Sequence, residues 1–189
     1  MPKGCGHTLT HSEVEKARTK ALHMLTNHGI VLAPSEASNM EVADFGLGRL
    51  QEIGLELIVY INADRYCAKE LVLFPRQICP QHRHPPTVSG PGKEETFRCR
   101  WGEVYLYLPG TPTENPQAVV PEDKRSTFSV WNEIMLHPGN QYTIPPNTPH
   151  WFQGGPLGAI VSEFSSSSTD DTDEFYDHAI RRESVMQQD

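Results

Sequence analysis

His82 and His84 stand two apart in Gln81-His82-Arg83-His84, the spacing that turns both imidazoles to one face of a β-strand. A Pro/Gly-rich span follows, then Glu95 and, seven residues on, Gly102, where a hairpin is expected to turn. In a strand over 95–101, alternation puts Glu95, Phe97, Cys99 and Trp101 on one face and Thr96, Arg98 and Arg100 on the other. The apolar face must be the core, so Glu95 enters it as a carboxylate that needs a partner. A divalent ion held by the two imidazoles would supply that partner; a salt bridge to Lys93 or Arg83 is the plainer alternative. A further ligand is expected from His150, at the mouth of a strand that leaves the rigid Pro145-Pro146-Asn147 turn. His137, beside Pro138 and Gly139, is its rival, but no strand aims it.

The elements that must position these residues are short. At 189 residues and 21.2 kDa the chain suffices for one well-buried domain: a helical arm over 1–30, then a barrel with an acidic tail over 31–189. Sixteen prolines and fourteen glycines punctuate short apolar runs, which predicts an all-β chain with one N-terminal helix. That helix is expected over 10–28: Thr10 and Glu13 make a capping box, Gly29 a left-handed stop, and Val14, Ala17, Ala21, Leu22 and Leu25 a packing stripe. His7, His11, His23 and His28 lie in or beside it and read as surface or capping residues. Strands are expected over 55–61, 70–74, 78–84, 95–101, 103–108, 129–136, 141–145, 149–153 and 157–164, a spacing that suits an antiparallel sandwich or barrel. Residues 109–121 read as a surface loop. The serine run 165–168 opens an acidic tail that either stays mobile or is anchored by Phe175 and Tyr176.

A net charge of -8 and a pI near 5.6 argue against nucleic acid and anionic membrane as partners. No apolar stretch approaches the roughly 20 residues of a membrane span, and no secretory leader is visible. Cys5, Cys67, Cys79 and Cys99 show no Cys-x-x-Cys pairing, so a reduced cytoplasmic protein is expected and cysteine-bound zinc is not.

His82-x-His84 with Glu95 and Gly102 resembles the first motif of the cupin superfamily, and Gly139, Pro145 and His150 resemble the second. Two departures are visible: Asn147 stands where cupins usually have Gly, and Gly154 where they often have Asn. Asn tolerates a left-handed turn nearly as well as Gly, so the first departure costs little. Residues 40–48, 62–71, 81–86, 92–107, 141–153 and 165–175 together are similar to the short bacterial D-lyxose isomerases, and so is the wide gap between His84 and Glu95. The resemblance implies a cupin (double-stranded β-helix, jelly-roll) barrel. It also implies a divalent ion, usually manganese, bound by His82, His84, Glu95 and His150, and interconversion of D-lyxose and D-xylulose, often also of D-mannose and D-fructose. A homodimer is implied too, in keeping with outward Arg98 and Arg100 beside acidic segments.

Moving a carbonyl from C1 to C2 shifts a hydrogen between neighbouring carbons. An ion with three imidazoles and a carboxylate keeps about two octahedral positions for O1 and O2 of the open-chain sugar, polarising the carbonyl and stabilising an enediol. Proton transfer by that route needs a base. Glu163 interrupts an apolar strand on the face of Ala159 and Val161, where burial would raise its pKa; a barrel-rim carboxylate paired to arginine is the alternative. Lys93 and Lys69 are placed to donate to sugar oxygens, and Glu94 is a weaker candidate. Phe97, Phe152, Trp101, Trp131 and Trp151 either wall the sugar or belong to the core. A hydride shift would bypass Glu163. Three other readings stand beside the isomerase: a sugar-phosphate isomerase, an iron-dependent cupin dioxygenase, and a binding module with a structural ion.

Overall fold

The computed structural model describes residues 9–88 and 90–181; Cys5, His7 and the start of the N-terminal arm lie outside the described residues, as does the tail beyond Arg181. Helix α1 (His11–Asn27) opens on a reciprocal cap: the Glu13 N–H donates to Thr10 Oγ1 at 3.2 Å, and the Thr10 N–H to the Glu13 carboxylate at 2.9 Å. It ends before Gly29, whose φ of +77° is the left-handed stop. Its buried stripe of Val14, Ala17, Ala21 and Leu25 packs into one cluster with Ile58, Val72, Phe74 and Ile160. Burial of that stripe, rather than helix propensity, holds the helix on the sheet.

After a short α2 (Pro34–Ser38) come β1 (Glu41–Ala43), β2 (Leu55–Asn62), β3 (Cys67–Leu73), β4 (Ile78–Arg83), β5 (Glu95–Leu108), β6 (Asn132–Leu136), β7 (Gln141–Ile144), β8 (His150–Ser165) and β9 (Glu174–Phe175). All nine join one sheet by antiparallel pairings. Its axis is the pair β5–β8, in register from Glu95↔Ser165 to Tyr107↔Trp151. The hairpin expected at Gly102 does not form, and the two strands expected over 149–153 and 157–164 are one. Gly102 (φ +73°) and Gly158 (φ +91°) face each other where the register slips, and a Cβ on Gly102 would collide with the Gly158 carbonyl. The glycines therefore bend two continuous strands together instead of ending one. That bend folds the pair back on itself. Glu95 is registered with Ser165 at one end of β8, yet it lies 2.8 Å from His150 at the other.

The result is a curled double-stranded β-helix with one N-terminal helix, a cupin fold. Inside it Leu55, Leu57, Leu71, Phe97, Phe152 and Val161 belong to the central core. The register slip between Cys99 and Trp101 takes Trp101 out of this face, and its ring stacks on His28 with centroids 4.0 Å apart. Trp131 and Trp151 join a third cluster around Tyr107 and Phe128, so all three tryptophans are framework. β3 starts at Cys67, earlier than expected, and β6 starts at Asn132, later than expected. Cys67, Cys79 and Cys99 are buried thiols without disulfides. The tail is anchored: β9 pairs with β4, placing Phe175 opposite His82.

Candidate metal centre and its cavity

The barrel mouth is built from strand ends. His82 lies on β4 and is paired with His150, the first residue of β8. His84 follows just past the end of β4, and Glu95 opens β5. Asn147, in the turn before β8, has φ +56°, the left-handed geometry that glycine would otherwise supply. One potential ligand atom from each of His82, His84, Glu95 and His150 lies within 4.8 Å of the others, and all four residues are buried.

Hydrogen bonds on the far side of each ring fix what it presents. His82 Nδ1 is 2.9 Å from Pro80 O and His150 Nδ1 is 2.9 Å from Thr148 O. A carbonyl can only accept, so both Nδ1 atoms donate to it and both rings turn Nε2 toward the cluster. His84 Nδ1 is 2.5 Å from Asp173 Oδ1. His150 Nε2 is buried and lies 2.8 Å from Glu95 Oε1, close enough for a charge contact but outside hydrogen-bond alignment. Imidazole nitrogens and a carboxylate converging in a buried place suit a divalent ion.

The protonation pattern agrees. Burial, then the neighbouring His150 and His84, holds His82 well below the ordinary histidine range. Burial works against charge on His84 as well, but Glu95 and Asp173 outweigh it and raise its pKa to about 9. A proton on His84, 3.3 Å from Glu95 through Nε2, thus stands in for a cation among these donors. Burial opposes ionisation of Glu95, yet Lys93 and His84 hold it well below the carboxylate range.

Glu95 also faces the other way. Its Oε2 is 2.7 Å from Lys93 Nζ, so the salt bridge weighed against a metal role exists beside the histidine cluster. Arg83 points outward to Glu174 at 2.7 Å. From Lys93 a ladder of alternating charge continues: Lys93 Nζ to Glu163 Oε1 at 3.1 Å, Glu163 Oε1 to Lys69 Nζ at 3.6 Å, and Lys69 Nζ to Asp170 Oδ2 at 2.7 Å. Register explains it, because Lys69 on β3, Glu163 on β8 and Phe97 on β5 form one row across three strands. Burial favours the neutral amine of Lys93, but Glu163, Glu95 and Asp170 overcome it and keep Lys93 well above the lysine range. Lys69 is raised in the same way, chiefly by Glu163 against burial. The arginine partner weighed for Glu163 is replaced by two ammonium groups.

The ladder, His82, His84 and Glu95 line one cavity, which Phe97, Phe152, Phe45 and Phe175 also border; His150 lies behind this wall, fully buried. Glu94 is exposed and points elsewhere; His11, His23, His28 and His137 are absent from the lining. Sequence reasoning missed Asp170, Asp173 and Phe45, and read Phe175 as an anchor of the tail rather than as a wall of the cavity. The usable signal was the apolar pair Phe175-Tyr176 after an acidic run, since an anchored tail brings its acids to the mouth.

The sequence profile described as D-lyxose isomerase matches residues 35–189. A D-lyxose ketol-isomerase from Thermofilum sp. (strain ex4484_79) is 62% identical over 174 residues, covering 92% of this chain and 97% of that protein. A D-lyxose/D-mannose isomerase from Thermosediminibacter oceani is 57% identical over 174 residues, 92% of this chain and 96% of that protein. The crystal structure of L-ribose isomerase from Acinetobacter sp. DL28 with L-ribose matches with a TM-score of 0.79 at 14% identity, over 95% of this chain and 98% of that one, a likeness of fold alone. The chain belongs to the D-lyxose isomerase family.

Proposed function

We propose that this protein is a metal-dependent aldose–ketose isomerase that interconverts D-lyxose and D-xylulose, and also D-mannose and D-fructose. The observation that carries the reading is a donor set of three imidazoles and a carboxylate at one end of a cavity whose other end is a lysine–carboxylate ladder. His82, His84, Glu95 and His150 would hold the ion, which we take to be Mn²⁺ on the family likeness and the nitrogen–oxygen donor set. When bound, such an ion supplies Lewis-acid polarisation of the sugar's carbonyl.

The chain's own residues do the rest. Glu163 takes the proton from C2 of the aldose and returns it to C1, while the O2 hydroxyl proton passes to the neighbouring O1; one carboxylate oxygen on one face of the sugar suffices for the carbon-to-carbon transfer. Lys93, 3.1 Å from Glu163 Oε1 and held protonated, donates to the sugar oxygen on which charge develops. Lys69 holds Glu163 from the other side and, with Phe97 and Phe152, shapes the wall for the rest of the sugar. Arg98 and Arg100 are exposed and outside the cavity lining, which favours a free sugar over a sugar phosphate.

We take the chain as one domain, with the N-terminal arm packed on the barrel. Its reduced buried cysteines suit the cytoplasm. A homodimer would cover the outer strip where half-exposed Phe164 lies in register with Ala68 and Thr96, beside Arg98; light scattering reads the mass directly.

Elemental analysis of the purified protein, joined to an aldose panel run without oxygen, tests the reading. Stoichiometric first-row metal and ketose formed from D-lyxose are expected. Turnover that requires oxygen, or no ketose from any aldose in the metal-loaded protein, would refute it.

A further inference from the structure

The three histidines of the centre are not held alike. His82 and His150 give their Nδ1 protons to carbonyls two residues earlier, Pro80 and Thr148, so each ring is fixed by its own chain. His84 lies past the end of β4 and has an acceptor from far away: Asp173 Oδ1 at 2.5 Å, 89 positions later. The segment that brings it is pinned on both sides. Before it, Ser166 N–H donates to Glu94 O at 3.0 Å, and Ser168 exchanges two hydrogen bonds with Asn62, at 2.9 and 3.0 Å. After it, Tyr176 N–H donates to Gln81 O at 3.0 Å, and the Phe175 ring lies 5.4 Å from that of His82. Asp173 is thereby delivered between two anchors to the one ring that lacks a local acceptor.

We propose that Asp173 is a positioning residue of the metal centre, fixing the His84 ring so that Nε2 faces the ion and making the C-terminal segment around it part of the site. The inference rests on reading the four donors as a metal centre. Carboxylates that orient ligating imidazoles in this way are commonly worth about 10–100-fold in metal affinity. A purely structural Asp173 would pin the tail instead, and its loss would lower stability while leaving the affinity of the folded protein alone.

The test is calorimetric titration of Mn²⁺ and Co²⁺ into the metal-stripped full chain, with the visible Co²⁺ spectrum as a reporter of ligand geometry. Asp173→Ala is expected to bind both ions about 10–100-fold more weakly, with shifted Co²⁺ bands. Asp173→Asn keeps an oxygen that accepts from Nδ1, and is expected to lose less. A folded Asp173→Ala protein within about threefold of the parent, with an unchanged spectrum, overturns the proposal. If that variant does not fold, Asp173→Asn decides: a smaller loss with shifted bands supports the role, and parental affinity with a parental spectrum overturns it. The parent's own titration separates the two layers. A parent that binds neither ion sinks the metal centre itself; a parent that binds while the folded variants match it sinks only the role of Asp173.

Discussion

The sheet buries carboxylates on both of its faces, and the two faces treat them differently. On the cavity side Glu95, Glu163 and Asp170 each lie within 3.1 Å of a lysine ammonium, and Glu95 also meets the histidines. On the side covered by α1, Glu56 is fully buried. Its Oε1 accepts from Gln77 Nε2 at 3.3 Å, while Oε2 has no hydrogen-bond partner. Buried charge is expensive unless paired: burial opposes ionisation of Glu95 and Asp170, but Lys93 outweighs it at both and holds them below the ordinary carboxylate range. Burial raises the Glu56 pKa to about 8, and Gln77 and Lys20 offset little of it. The cavity thus sets its carboxylates against ammonium groups, whereas on the other face burial raises the pKa of both Glu56 and Glu70, the latter accepting from Ser162 Oγ at 3.0 Å. That is the contrast expected between a site built for chemistry and a core built for packing.

The largest effects come from the cavity side. Glu95→Ala removes the group that joins histidines to ladder, and His82→Ala removes a donor with no substitute. Each is expected to abolish stoichiometric metal and isomerase turnover together while circular dichroism stays near that of the parent. Full turnover in a variant stripped of its metal would show that the four donors are not the centre. Glu163→Gln cuts one rung of the ladder without touching the donor set. Metal content should be unchanged and turnover on D-lyxose depressed by roughly 10²–10⁴-fold, the usual weight of a general base. Near-parental rates would remove Glu163 as the proton carrier and favour a hydride shift.

A smaller effect follows from His84. Its folded-state pKa is raised to about 9, so below that pH a proton occupies the donor set. An ion must displace that proton, and its affinity falls as pH falls, by about tenfold per unit while one proton is released. Calorimetric affinities measured between pH 6 and 8 should show that slope; a flat profile would mean that His84 is already deprotonated before the ion arrives.

Much of this was legible because period and spacing carry it. Two histidines at strand spacing, a carboxylate at the start of an apolar strand and a histidine after a Pro-Pro-Asn turn are local patterns, and the cap of α1 is another. Curvature was not legible. Gly102 reads as a turn, but in the chain it bends two long strands at once, because the constraint is the Gly158 backbone opposite. Nothing in the sequence places that neighbour there. For the same reason the slip that carries Trp101 to the helix side was invisible, since a register shift belongs to a pair of strands. Asp170 and Asp173 were hidden differently. An acidic, serine-rich stretch has the composition of a mobile tail, and only the anchoring of Phe175 on β4 turns its acids into cavity walls.

The smallest effect tests the packing side of the contrast. Glu56 has a folded-state pKa near 8, above the ordinary carboxylate value of 4.5, so the folded chain binds this proton more tightly than the unfolded chain. Stability must then decline as pH rises from about 4.5 to about 8, and change no further from this group above that. Gln copies the shape of the neutral acid and keeps an oxygen for Gln77, but it has no charge to bury. Glu56→Gln should therefore match the parent at pH 4 to 5 and gain on it as pH rises. At pH 9 the advantage is expected to be roughly a few kcal/mol, each pKa unit being worth about 1.4 kcal/mol. In a chain of this length that is a rise of several degrees, at about 2–4 °C per kcal/mol. Thermal unfolding of both proteins at pH 5 and pH 9 reads the difference directly. An advantage that is absent at both pH values would mean that Glu56 finds a cation after all, and that both faces of the sheet bury their carboxylates by the same device.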